Sequence, residues 1–445
     1  MPLSDMAQAA LTQATRAGAQ AADVLTMTGT SVSIDVRAGA LEEATREEGT
    51  DISLRVLVGQ RQAVVSISDT SPTAIAEMAE RAVAMAREAP EDPSLGLADA
   101  DQLAAASDID LDLCDPAAEP DPSALRAAAE AAEAAALSVA GVTQTQGAGA
   151  GYTARDFVLA GTNGLYISAA RTASSLSCVA ISGAGTGMER DYDGESRVYA
   201  SDLRSAEEIG RTAGERAVAR AGARKPPTGS YPVLYDERIS GSLIGHLLGA
   251  INGMAIARGA SWLRDAEGTP VLPDALSLRE DPHRPRMLGS RLIDSEGLAT
   301  APRDWVENGV LTGFVTDLGT ARKLGRDSTA NASRGLGGGP SPSLSNIALT
   351  QGDQTRAELI RDMGTGLLIT SMIGQTINPN TGDYSRGASG FWIENGEITY
   401  AVNECTVAGN LRDMLRTITP ANDARPWLSR VIPSLLVEGL TLAGA

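Results

Sequence analysis

Histidine, lysine, aromatic residues and paired cysteines are all scarce in this 445-residue chain. The only histidines are His246 and His283, so a Ser-His-Asp mechanism would have to take one of them as base, and no GxSxG elbow accompanies either. Cys114, Cys178 and Cys405 are odd in number, widely spaced and without a CxxC pair. Neither a disulfide framework nor a thiolate zinc knuckle is indicated, and a reducing cytoplasm fits best. Lysine is confined to Lys225 and Lys323, and the formal net charge is -19. Such a surface repels phosphate backbones and anionic lipid, so neither direct nucleic-acid binding nor membrane association is expected. Long apolar runs are missing too. The longest tempting membrane candidate, residues 239–257, has no charge but carries Ser, Asn, His and four glycines, which suits a buried helix better than a membrane span. The N-terminus has no basic region followed by an apolar one and reads as an amphipathic helix capped near Ser4.

What is abundant is small and aliphatic. Hydrophobic residues make 43% of the chain and aromatics 3%, with 47 glycines, so Ala, Val, Leu and Ile must fill the interior while glycine sets many turns. The length predicts two or three domains at about 100 to 200 residues each. Residues 1–90 read as helix, antiparallel strands and helix. The segment "DISLRVLVGQRQAVVSIS" alternates around a glycine turn, and the helix after Ser71 places Ile75, Met78, Ala82 and Met85 near one face. An acidic, turn-rich linker, "PEDPSLGLADADQ", follows. Residues 91–225 repeat the order helix, strands, helix, as a diverged internal duplication would. Residues 226–445 carry one long helix and then mostly strands, with two "ENG" hairpin turns. The expected class is α+β: antiparallel sheets with flanking helices, and N-terminal α/β units ahead of a β-rich C-terminal domain.

Three glycine-rich runs, from Gly147, Gly183 and Gly335, lack the Lys-Ser/Thr or the strand-to-helix context that phosphate binding needs, and are read as turns and close backbone approaches. His283, between two prolines, is read as a solvated loop residue. The run "RISGSLIGHLLGAINGMAIARG", residues 238–259, is the most informative. Asp236 is a candidate N-cap, and Ile239, Leu243, Leu247, Ile251 and Met254 recur as a core-facing stripe. Ser242 and His246 fall on another face with Gly249 and Gly253. Gly245, Gly249 and Gly253 would let a second backbone, from this chain or a partner, come close, with His246 a hydrogen-bonded buried imidazole.

The segments "SGSLIGHLLGAINGMA", "DSEGLATAPRDWVENGVLTGF", "INPNTGDYSRGASGFWIENGEITYAVNE" and "TVAGNLRDML" resemble the TldD/PmbA family, PmbA (TldE) branch, over essentially the whole chain. The resemblance implies a cytoplasmic subunit that joins a TldD-type catalytic subunit in a heterodimeric zinc metalloprotease acting on unfolded peptides or peptide precursors. It also implies an older description as a DNA gyrase modulator. Catalytic members resemble one another in an HExxxH helix with a third, cysteine ligand near the C-terminus. Laid on this chain, that motif falls on Gly241, Ser242 and His246, and residues 425–445 contain no cysteine. One imidazole without the second histidine or the glutamate gives neither the ligands nor the base of zinc-assisted hydrolysis. The expectation is therefore no catalytic residue and no metal in this chain, with zinc in the partner. The rival expectations are a self-associating, non-enzymatic peptide-binding or gyrase-modulating protein, homodimeric in isolation, and an autonomous metallopeptidase with its own zinc.

Overall fold

The computed structural model describes residues 1–105, 107–117 and 119–444. Its first half is built on one six-stranded antiparallel sheet, ordered β3-β2-β1-β4-β5-β6. The strands are β1 (Ala21–Arg37), β2 (Ala40–Val58), β3 (Arg61–Ile67), β4 (Val142–Gly161), β5 (Tyr166–Ser182) and β6 (Glu189–Arg197). Residues 1–90 and 91–225 thus contribute three strands each to a shared sheet, joined where β1 runs antiparallel to β4. Each triplet is bracketed by two helices: α1 (Leu3–Ala17) and α2 (Pro72–Glu88), then α3 (Pro122–Leu137) and α4 (Ala206–Ala219). The same order of elements recurs about the β1/β4 seam.

Alternation decides which face is buried. Val24, Val32, Ile34 and Val36 of β1 share one side and pack under the helices, whose facing residues are largely alanine. Small side chains bring helix and sheet close without aromatics. Ser71 caps α2 by accepting the Ala74 N–H at 3.2 Å. Ala79, Val83 and Ala86 complete its buried face with Ile75, Met78 and Ala82, whereas Met85 is 48% exposed, one residue off the stripe. Ser4 does not cap α1: Pro2 holds the N-cap position, with no side-chain hydrogen bond. The β1–β2 turn at Ala38 and Gly39, both with positive φ, is fastened from below, since buried Glu133 of α3 accepts both of its N–H groups at 2.8 Å.

The opposite face of this sheet meets the C-terminal half. Buried Asp23 pairs with two arginines, the equally buried Arg55 from the neighbouring strand and Arg334 from the C-terminal half. Ser53 and Ser66 donate to the Leu336 carbonyl, so the glycine-rich run from Gly335 is a loop docked on the sheet. The run from Gly147 is not a turn but part of β4, where a Cβ on Gly149 would meet Asp35 at 2.4 Å. The expected linker is pinned as well, with Arg322 donating to the Ser94 and Leu97 carbonyls.

The C-terminal half is β-rich. Strands Glu397–Asn410, Asp383–Glu394, Gly366–Ile377, β7 (Gly229–Tyr235) and Leu435–Ala443 are neighbours in that order, and Leu435–Ala443 pairs back onto Glu397–Asn410, closing the ring. Only β7 and Gly366–Ile377 run parallel within it. A second sheet holds the strands Leu278–Glu280 and Arg303–Glu307 and buries Trp305, whose indole N–H donates to Glu280 at 2.9 Å. Both ENG turns have the left-handed Asn-Gly pair that a two-residue hairpin requires, Asn308 with Gly309 and Asn395 with Gly396. The fold is α+β with antiparallel sheets and a β-rich C-terminal region, and among the described residues no helix is long and apolar enough to cross a membrane.

Candidate functional site

The barrel strand β7 runs straight into Asp236, which caps α5 (Glu237–Ala250) by accepting the Arg238 N–H at 3.1 Å. Leu243, Ile244, Leu247, Leu248 and Ile251 are buried, a stripe at helical spacing that anchors α5 in the largest core. Ile239 packs against its edge. Met254 does not join the stripe: the helix ends at Ala250, Asn252 caps a new five-residue helix by accepting the Met254 N–H at 3.0 Å, and Met254 is 37% exposed. The break has a cause in Gly253, where a Cβ would lie 2.7 Å from the Val315 carbonyl and 2.6 Å from Thr320. Gly241, Gly245 and Gly249 differ from it. A Cβ on any of them meets nothing within 4 Å among the described residues, so each has room for a side chain or a second backbone.

At the three motif positions, Gly241 brings no side chain and the Ser242 hydroxyl accepts from Arg386 Nη1 at 3.5 Å. The His246 ring lies edge-on to Tyr384 at 5.8 Å between centroids. Its Nε2 is buried without a hydrogen-bond partner, which corrects the expectation of a satisfied imidazole. Burial, followed by the Arg386 charge, lowers its pKa to about 4, so the ring is neutral at pH 7. A neutral imidazole is a competent metal ligand, but it stands alone, and the guanidinium beside it opposes a second cation. Among the described residues no three His, Cys, Asp or Glu side chains converge as a metal site would need. Cys405 is buried, donates to the Ala388 carbonyl at 3.2 Å, and has its thiol pushed up to about 11 by burial, which disfavours the thiolate that binds zinc. These residues do not fit a catalytic zinc.

His283 lies elsewhere and is not solvated: it is half-buried, and its Nε2 shares a 3.0 Å hydrogen bond with Thr300. A cleft of ≈ 480 Å³ beside Trp262, Arg264, Asp265 and Arg412 has none of the motif positions in its lining. A cleft of ≈ 340 Å³ opens on the first turn of α5 itself, at Gly241 and Ser242. Arg386 belongs to its wall, and sequence reading missed this residue. The signal was present as a period of two: Tyr384, Arg386 and Ala388 all point inward from one strand, at 2%, 9% and 5% exposure. An inward arginine in an otherwise apolar alternation is expensive and asks for a reason.

Models of the PmbA/TldA metallopeptidase domains match the chain in three pieces: domain 1 at residues 22–86, the central domain at 115–221 and the C-terminal domain at 228–444. The chain is 35% identical to metalloprotease PmbA of Escherichia coli O157:H7 over 424 residues, 95% of this chain and 92% of that one. It is also 35% identical to the PmbA homolog of Haemophilus influenzae over 442 residues, 97% and 94% of the two chains. A crystal structure from Bacteroides thetaiotaomicron described as a modulator of DNA gyrase superposes with a TM-score of 0.92 at 28% identity, covering 99% of each chain. TldE from Thermococcus kodakarensis, at 19% identity, shares the fold with a TM-score of 0.86, over 99% of this chain and all of that one.

Proposed function

The chain belongs to the PmbA/TldD metallopeptidase family, and from that premise we propose that it is the non-catalytic, TldE-type subunit of a two-chain cytoplasmic metalloprotease. In this reading a TldD-type partner holds the zinc, and the present chain encloses and shapes the path by which unfolded peptides or peptide precursors reach it. One observation carries the proposal: where catalytic members place a metal-binding helix, α5 presents Gly241, Ser242 and a lone imidazole beside a guanidinium. Water activation needs several ligands and a nearby base, and neither is supplied.

Two features suit the enclosing role. Strand Gly366–Ile377 pairs with β7 through Leu367, Leu368 and Ile369; in this reading an extended peptide pairs with the backbone of the residues that follow, a mode that gives affinity with little sequence demand. Ile373 on that segment is 77% exposed. The open ridge of Gly241, Gly245 and Gly249 leaves room for a partner's backbone, while Gly253 is filled from within. The test is peptidase activity on an unstructured peptide with this chain, the catalytic partner, and both. Activity in the mixture that vanishes when the partner's motif glutamate is replaced is expected, and hydrolysis by this chain alone would defeat the proposal.

A second reading has support from the Bacteroides structure's description as a gyrase modulator. A chain of charge -19 would act there through protein contacts and not through DNA. A stable homodimer with no affinity for the catalytic partner would favour it.

A further inference from the structure

The cleft on the first turn of α5 is basic in a strongly acidic protein. Four arginines line it, Arg238, Arg386, Arg425 and Arg430, against one carboxylate, Glu237. Two of the four are neutralised locally: Arg238 by Asp191 and Asp236, at 2.9 and 3.2 Å, and Arg425 by Glu237 at 2.8 Å. Arg386 and Arg430 have no carboxylate within ion-pair distance among the described residues.

Arg386 is the unusual one, because it is 9% exposed and a buried cation ordinarily has an acid beside it. Its position is built. The register between Gly366–Ile377 and Asp383–Glu394 skips from Ile373 to Thr376, and Gly374, at φ 72°, belongs to the resulting bulge. The Gly374 carbonyl accepts Arg386 Nε at 2.8 Å, which fixes the guanidinium plane. Nη1 reaches the Ser242 hydroxyl at 3.5 Å, and the Tyr384 hydroxyl is a second neutral polar neighbour of the guanidinium. Bulges that re-aim a side chain are typical beside binding sites. The remaining walls include Ile239, Met372, Leu428 and Ile432, so a cationic wall stands among apolar side chains.

We propose that this cleft binds a carboxylate carried by a peptide, either its chain terminus or an acidic side chain, with Arg386 and Arg430 receiving the charge and the aliphatic walls receiving the neighbouring apolar residue. The inference rests on the peptide-handling role proposed above and assigns that role a point of recognition. It also gives a physical reason for the lost motif. A glutamate at position 242 would sit against Arg386 and satisfy it, whereas serine leaves the guanidinium free for an incoming anion.

The test is binding, measured on this full chain alone by fluorescence anisotropy, with an N-terminally labelled unstructured peptide ending in leucine as probe. Three forms are compared at low salt: the free acid, the C-terminal amide, and the amide with one internal glutamate. The acid is expected to bind at least about tenfold more tightly than the plain amide, the scale of one charge-assisted hydrogen-bonded contact. The glutamate form shows whether a side-chain carboxylate serves equally. Arg430→Gln, at an exposed position, should bring the acid close to the amide, and Arg386→Gln, checked for folding by circular dichroism, should do so completely. Equal affinities for the three forms, or no effect of Arg430→Gln, would overturn the inference. Hydrolysis plays no part in this readout, so the mixing experiment judges the subunit role separately.

Discussion

At the scale of single residues, two titratable groups withdrawn from solvent, one half-buried and one buried, make opposite predictions. An unfolded imidazole takes up its proton near 6.5 and His246 only near 4, so acidification through that window favours the unfolded chain. Replacing His246 by Leu should remove part of this slope, visible as a smaller loss of urea midpoint between pH 7 and pH 4.5. At pH 7 it should change stability by less than about 1 kcal/mol, because the unpartnered Nε2 contributes no hydrogen bond to lose. Glu296 behaves in the reverse sense. It is 6% exposed, and burial, reinforced by Asp317 and Asp294, raises its pKa to about 8 although it accepts the Leu318 N–H. The folded chain then keeps a proton that the unfolded chain gives up near 4.5, so stability falls as pH rises between those values. Glu296→Gln should raise the melting temperature at pH 8.5 and change it little at pH 4.5; equal shifts at both would contradict the assignment. Residue-level reading of the sequence reached His246 and its missing companions because motif spacing is local. It missed the state of the ring, since Arg386 lies 140 positions away in the chain and only strand pairing brings it close.

At the scale of elements, glycines that the sequence presents identically, every fourth residue from Gly241 to Gly253, separate into two kinds: three lie in α5 and the last opens the short helix after it. Gly253→Ala should cost about 1–3 kcal/mol, the usual range for forcing atoms into a filled space, because Val315 and Thr320 already occupy it. Gly249→Ala should stabilise the isolated chain by about 0.5–1 kcal/mol through helix propensity alone. Chemical denaturation of both variants checks the pair. Gly245→Leu should leave the isolated fold intact and weaken association with the catalytic partner if that ridge is where the partner packs. Both Asn-Gly hairpins and the caps Ser71 and Asp236 were legible because they depend on a few adjacent residues, whereas the Ser4 cap and the turn read at Gly147 were not borne out. Helix continuity across Asn252 was not legible, because the break comes from atoms supplied by residues 315–320.

At the scale of the molecule, composition indicated an aliphatic interior and an α+β class, and element order hinted at the repeat. It could not reveal that both repeats share one sheet, since pairing β1 with β4 joins residues more than a hundred positions apart. Nor could it show the buried Asp23–Arg55–Arg334 cluster that fastens that sheet to the barrel half. Arg334→Ala would remove one of the two arginines on Asp23 and a hydrogen bond to the Ser53 carbonyl while Arg55 stays paired, at a cost of about 1.5–3 kcal/mol, and calorimetry should then show the two halves unfolding less cooperatively. The subunit reading rests finally on a metal site that lacks donors, and zinc stoichiometry of the isolated chain tests it most directly. After incubation with zinc and desalting, the protein should retain far less than one ion per chain, with no difference between wild type and His246→Ala. One tightly held zinc per chain, released by His246→Ala, would contradict it.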